Sequence, residues 1–201
     1  LAAGKKVVLV GGDHSTPLGT LRAHKDHYGD FGVLHIDAHA DLRPAYEGFT
    51  YSHASIMYNA LEEGLFTNIV SVGLRDFCHQ EAELMAQDDR ITGYTDRDLQ
   101  REMYAGASWK TLCERIVEHL PSQVYLSFDI DGLDPALCPT TGTPVAGGFT
   151  TEQVLYLVDT LLDSGRTLLG FDLVEVAPGE TEWDANVGAR LLYALCLRLT
   201  Q

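Results

Sequence analysis

Three short apolar runs in this chain each finish in side chains that bind metals or move protons. Val7-Val8-Leu9-Val10 leads into Gly11-Gly12-Asp13-His14-Ser15, and Tyr125-Leu126-Ser127-Phe128 leads into Asp129-Ile130-Asp131. Between them, the apolar run from Phe31 leads into His35-Ile36-Asp37-Ala38-His39-Ala40-Asp41. Read as strands entering loops, the runs send alternate residues to one face, so Asp37, His39 and Asp41 share a side, as do Asp129 and Asp131. In open α/β sheets ligands bind outside the carboxyl ends of the strands. Strands that all end in acid and imidazole therefore point into one crevice.

The rest of the chain fits such a sheet. Strands are predicted at 5–10, 31–37, 68–74, 91–94, 123–128 and 167–176, and helices to about residue 28 and over 52–63, 79–87, 108–120, 151–164 and 185–198. Ser15 or Thr16 is expected to cap the first helix, with Pro17 in its first turn. The stretches 38–51 and 132–148 are long loops at the crevice mouth, where function concentrates. Strand and helix alternate without repeats or a linker, which predicts a three-layer α/β/α domain over 1–201 with a mainly parallel sheet.

The chain's 201 residues are enough for one well-filled core. Its 14 Lys and Arg against 29 Asp and Glu argue against a nucleic-acid backbone as partner and for a cationic ligand. Cys78, Cys113, Cys138 and Cys196 have no C-x-x-C spacing and read as free thiols. With no run long enough to span a bilayer and no signal-like pattern, a cytoplasmic protein without membrane partners is expected.

Carboxylates and imidazoles without thiols suit divalent Mn, Fe, Co or Zn. The candidate ligands are His14, Asp37, His39, Asp41, Asp129 and Asp131, whose four aspartates one divalent ion would leave strongly repulsive and two would neutralise. Two ions lower the pKa of a shared water, and carboxylate predominance favours manganese.

Gly11 to Ser15, Asp37 to Asp41 and Ser127-Phe128-Asp129-Ile130-Asp131-Gly132-Leu133-Asp134-Pro135 resemble the signatures of the ureohydrolase family, the arginases and agmatinases. Gly142-Thr143-Pro144, Gly147-Gly148 and the run from Asp172 to Pro178 continue the likeness. The resemblance implies an arginase-like fold and a binuclear hydrolase with two Mn2+ per subunit, acting on a small cationic guanidino substrate. His14, Asp37, Asp41 and Asp129 would hold one ion and His39, Asp37, Asp129 and Asp131 the other. Asp41 would relay a proton to the leaving nitrogen, His53 would shuttle protons at the mouth, and Glu175 would pair with the scissile cationic group. His35 is expected beneath the ligands as support, and His24, His27, His79 and His119 on helix surfaces.

The loop from Leu42 to His53 lacks the Ser and Asn of an arginase and places Phe49 and Tyr51 there instead, which disfavours arginine and favours agmatine, split to putrescine and urea. Arg43 would repel agmatine's amine unless it pairs with Glu47 or points away. It could instead bind a carboxylate tail, keeping arginase, guanidino-acid hydrolase and formimidoylglutamase as alternatives. A binuclear phosphoesterase lacks support, because the Gly-Asn-His run it adds is missing; a non-catalytic metal-binding homologue is the reading from another class. Family members carry further βα units ahead of the Gly-Gly-Asp-His strand and form trimers or hexamers. The chain is thus expected to be an N-terminally truncated piece that folds poorly or assembles abnormally by itself.

Overall fold

The computed structural model describes residues 1–200. Strands β1 (Val8–Val10), β2 (Gly32–Ile36), β3 (Asn68–Leu74), β4 (Ile91–Thr95), β5 (Gln123–Asp129) and β6 (Thr167–Val174) form one parallel sheet in the order β1-β6-β5-β2-β3-β4. Helices α1 (Leu18–Tyr28), α2 (Ile56–Glu62), α3 (His79–Gln87), α4 (Asp96–Tyr104), α5 (Trp109–Glu118), α6 (Thr151–Asp163) and α7 (Trp183–Leu199) alternate with them. The three-layer parallel architecture is the expected one.

Period-two alternation divides the strands between two cores. Leu34, Ile36, Val70, Val72, Leu126 and Phe128 pack with α4, α5, α6 and α7. Val33, Ile69 and Tyr125 pack on the opposite face with α1 and α2. Both faces are covered, so the central strands read as nearly continuous apolar runs.

β2 and β5 are neighbours, yet the chain leaves them in opposite directions, β2 toward β3 and β5 toward β6. Such a reversal leaves a crevice at the strands' carboxyl ends. Asp37 follows β2 and Asp129 ends β5, one on each side of it.

Strand β3 and helix α3 run as predicted, and other boundaries shift by a few residues. Pro17, rather than Ser15 or Thr16, occupies the N-cap of α1; Ser15 and Thr16 instead close a turn on Asp13. Residues 53–55 form a 3-10 turn before α2. Helix α4 is not among the predicted elements: its apolar face is only Leu99 and, one turn on, Met103, a short signal among charged residues, although Thr95 caps it by accepting from Asp98 N–H. His24 is not on the surface. It is fully buried, its Nδ1 2.8 Å from Thr20 O and its ring edge-on to Tyr125, and Gly170 makes room because a Cβ there would lie 2.7 Å from His24 Nε2. Among the described residues no helix is long and apolar enough to cross a membrane.

Candidate metal centre

The strand ends gather the predicted ligands, by a route other than alternation. β2 ends at Ile36, and the following chain turns: Asp41 has φ 54°, in the left-handed region. Asp37 Oδ1 accepts from His39 N–H at 2.6 Å, which folds the imidazole back onto the carboxylate. Asp129 Oδ1 likewise accepts from Asp131 N–H at 2.9 Å in a short 3-10 turn. The same-face expectation for Asp37, His39 and Asp41 does not hold: the chain turns after β2, and His39 and Asp41 fall in different donor groups that share Asp37.

His14 travels furthest. Its loop leans across β6, with Glu175 N–H donating to Gly12 O at 2.9 Å and His14 N–H donating to Glu175 Oε1 at 2.9 Å. Its Nδ1 then lies 3.0 Å from Asp37 Oδ2, 3.2 Å from Asp41 Oδ2 and 3.2 Å from Asp129 Oδ2. On the other side His39 Nδ1 lies 3.1 Å from Asp131 Oδ2 and 3.3 Å from Asp37 Oδ1. Two donor groups result, His14 with Asp37 and Asp41, and His39 with Asp37 and Asp131, and Asp37 belongs to both. His35 lies within the first group, but its Nε2 faces Asp37 Oδ2 at 2.9 Å and its Nδ1 faces Ser71 Oγ at 3.1 Å. Both ring nitrogens are engaged, so it supports Asp37 and has no lone pair left for an ion.

A polar row across the sheet orients these groups. Ser71, His35, Ser127 and Asp172 are in register on β3, β2, β5 and β6. Ser127 Oγ donates its one proton to Asp172 Oδ1 at 3.0 Å, an atom that also accepts from Phe128 N–H. Ser127 therefore accepts from His14 Nε2, 2.9 Å away. A neutral His14 so held carries its lone pair on Nδ1, which is buried and faces carboxylate oxygens; with no cation there, burial opposes a proton on His14 but Asp129, Asp37 and Asp41 outweigh it and hold its pKa well above the usual range. An acceptor surrounded by acceptors is a place for a cation, and the donor set fits a pair of divalent ions. Neither Ser127 nor Asp172 is among the predicted site residues; each is a lone polar residue inside an apolar run.

The electrostatics agree. Uncompensated burial of charged groups costs several kcal/mol per ion. Burial, and then the charge of Asp37, raise the pKa values of Asp41, Asp129 and Asp131. Burial also acts against ionised Asp37, but His14, His35 and His39 outweigh it and hold its carboxyl well below the usual range. Burial opposes protonation of His39, yet Asp131 and Asp37 push it up to about 11. Protons thus do in this cluster what cations would do better. Ser127→Ala is expected to lower metal affinity about 10- to 100-fold through the lost orientation of His14, measured by manganese titration of stripped protein. Unchanged affinity would mean that Nδ1 is aimed without the relay.

A cleft of ≈130 Å³ opens over the centre, lined by His14, Asp41, Asp129 and Glu175 together with Arg43, Tyr46, His53, Asp76 and the buried Glu81. Glu175, like Asp41, is held in the left-handed region, at φ 62°; such strain costs of order 1–3 kcal/mol and gathers at functional sites. Arg43 pairs with neither Glu47 nor solvent alone. Its Nε is 3.5 Å from Glu81 Oε2 and its guanidinium lies 5.1 Å over the Tyr46 ring, which meets His53 edge-on. Glu47 sits at the exposed tip of the turn between Tyr46 and Phe49. Phe49 and Tyr51, at 70% and 64% exposure, do not line the cleft.

Residues 1–197 match the arginase family. The chain belongs to the arginase family. It is 37% identical over 193 residues to N(1)-aminopropylagmatine ureohydrolase of Thermus thermophilus, covering 96% of this chain and 62% of that protein. It is 35% identical to the agmatinase of Serratia proteamaculans, over 100% of this chain and 63% of the relative. The chain thus spans less than two thirds of the length of these curated relatives. Its fold superposes on proclavaminate amidino hydrolase from Streptomyces clavuligerus with a TM-score of 0.80 at 28% identity, over 96% of this chain and 63% of that one.

Proposed function

We propose that the protein is a two-manganese hydrolase that cleaves the guanidino C–N bond of a small linear amidine with a cationic tail, foremost agmatine. The observation that carries this is the buried Nδ1 of His14, 3.0 to 3.2 Å from carboxylate oxygens of Asp37, Asp41 and Asp129, beneath a cleft that Glu175 also lines.

His14, Asp37, Asp41 and Asp129 would hold one ion and Asp37, His39, Asp129 and Asp131 the other. When bound, such a pair supplies Lewis acidity toward a nucleophilic water. Glu175 binds the planar guanidinium and fixes the carbon over the centre, with Oε1 anchored on His14 N–H and Oε2 left for the substrate. Asp41, in the cleft lining, passes the proton released by the attack toward the leaving nitrogen. His53, in the wall beside Tyr46, exchanges protons with solvent at the mouth.

The cleft lining supports a cationic tail. Its one guanidinium, Arg43, is compensated by Glu81, and Asp76 adds a second carboxylate. The arginase-like exclusion drawn from Phe49 and Tyr51 loses force because neither lines the cleft. The pairing of Arg43 carries the preference in its place. The 37% identical aminopropylagmatine ureohydrolase favours a second reading, in which the tail extends by an aminopropyl group.

The experiment is urea release by the manganese-loaded protein from agmatine, aminopropylagmatine, arginine, 4-guanidinobutyrate and 3-guanidinopropionate, with formamide release from formiminoglutamate in parallel. Turnover of the first two above the rest is expected. Arg43→Ala is expected to leave their kcat/KM within about threefold, whereas loss of a charge-assisted contact to a carboxylate tail would cost roughly 10- to 150-fold. A loss of that size on agmatine would overturn the tail assignment.

A further inference from the structure

Arg75 ties together parts of the chain that no strand pairing joins. It follows the irregularity that breaks the pairing of β3 with β4 between Val72 and Leu74. Its backbone N–H donates to Ala38 O at 2.8 Å, inside the turn that carries Asp37 and His39. Its side chain donates to four carbonyls: Gly73 O from Nη1 at 3.0 Å, Asp131 O and Leu133 O from Nη2 at 2.6 and 3.1 Å, and Val145 O from Nε and Nη2 at 3.1 and 3.0 Å. One guanidinium thus spans the end of β3, the turn that carries Asp131 and the far side of the long loop after it. Gly148 permits the approach: it has φ +93°, and a Cβ there would lie 2.8 Å from Arg75 Nη2 and 2.6 Å from Leu133 O.

The residues so fixed are not a random part of the centre. Asp131 Oδ1 accepts from Ala38 N–H at 3.1 Å, and Oδ2 accepts from Thr143 Oγ1 at 3.3 Å and faces His39 Nδ1 at 3.1 Å. Asp37, His39 and Asp131 are one of the two donor groups, and Arg75 touches the chain on both sides of it. Arg75 makes no hydrogen bond to His14, Asp41 or Asp129, whose places are set by the Ser127 relay, the turn at Asp41 and the end of β5.

The geometry points to Arg75 as the positioning residue of the two ligands that only the second ion uses, holding Asp131 against His39 and fixing the Thr143 loop over it. This rests on the two-ion reading above. The role needs a planar fork that donates from Nε, Nη1 and Nη2 at once, which an ammonium on a flexible stem does not reproduce.

The test is stepwise manganese binding to stripped protein, by calorimetry and by EPR, which separates a spin-coupled pair from an isolated ion. Wild type is expected to take up two ions. Arg75→Lys is expected to keep the first affinity within about twofold and lose about 10- to 100-fold in the second, with the coupled signal replaced by that of a single ion at low metal. Gly148→Ala, which crowds Nη2 without removing it, is expected to give the same one-sided loss and serves where Arg75→Lys does not fold. A merely structural role would weaken both steps alike or neither, and either result would overturn the assignment. Two ions in wild type with an unchanged second step in both variants would overturn the role of Arg75 alone. A single ion in wild type would overturn the two-ion reading and this inference with it.

Discussion

Asp37→Asn is expected to abolish turnover and the binding of both ions together. Asp37 belongs to both donor groups, with Oδ2 3.0 Å from His14 Nδ1 and Oδ1 3.3 Å from His39 Nδ1. The amide keeps the shape and removes the charge. Breaking a buried charged set by removing one partner costs about 3–5 kcal/mol, which in a rate is roughly 10²- to 10⁴-fold. The same variant has a readout independent of activity. An ion that binds only the folded protein, present at a thousand times its Kd, stabilises it by about 4 kcal/mol, and in a domain of this size that is roughly 8–16 °C in Tm. Wild type is expected to show such a rise on adding manganese to stripped protein, and Asp37→Asn to show little of it. A full manganese shift in the variant would mean that Asp37 is not the shared ligand.

Glu175→Gln is expected to lower kcat/KM by about 2–5 kcal/mol, roughly 30- to several-thousand-fold, because a half-buried carboxylate that a bound guanidinium would cover becomes a neutral amide. Manganese affinity should stay near wild type, since Glu175 reaches the centre only through His14 N–H. That split between catalysis and metal binding separates it from Asp37→Asn. The local fold is braced independently of the side chain: Glu175 N–H donates to Gly12 O at 2.9 Å and Thr141 Oγ1 donates to Glu175 O at 3.0 Å. Burial raises the Glu175 pKa, opposed by the His14 N–H that its carboxylate accepts. A cationic substrate arriving at Oε2 would favour the ionised form further. Steady-state kinetics alongside manganese titration tests both halves, and an unchanged kcat/KM would remove Glu175 from contact with the substrate.

Much of the centre was legible before any coordinates, because ligand chemistry is local. His14, Asp37, His39, Asp41, Asp129 and Asp131 stand at the ends of apolar runs, and a parallel sheet brings strand ends together. How they converge was not legible. Alternation on an extended strand would have oriented Asp37, His39 and Asp41, whereas the chain turns on its own backbone N–H groups and sets Asp41 at φ 54°. His24 was misplaced for a related reason: a histidine in a polar helix gives no sign that a glycine on β6 leaves it a buried seat. Arg43 was recognised as decisive for the tail, but its partner Glu81 is on α3, far along the chain.

By itself the sequence determined the layers of the fold and which carboxylates and imidazoles stand at the strand ends, since hydrophobic period and residue type act within a few positions of one another. Only the tertiary structure decided how His14 is turned and what braces the donor groups from behind. The row Ser71, His35, Ser127 and Asp172 exists only when four strands lie in register, and the span of Arg75 exists only when separate loops meet. Contacts of that kind depend on strand order and register, which no short window of sequence contains.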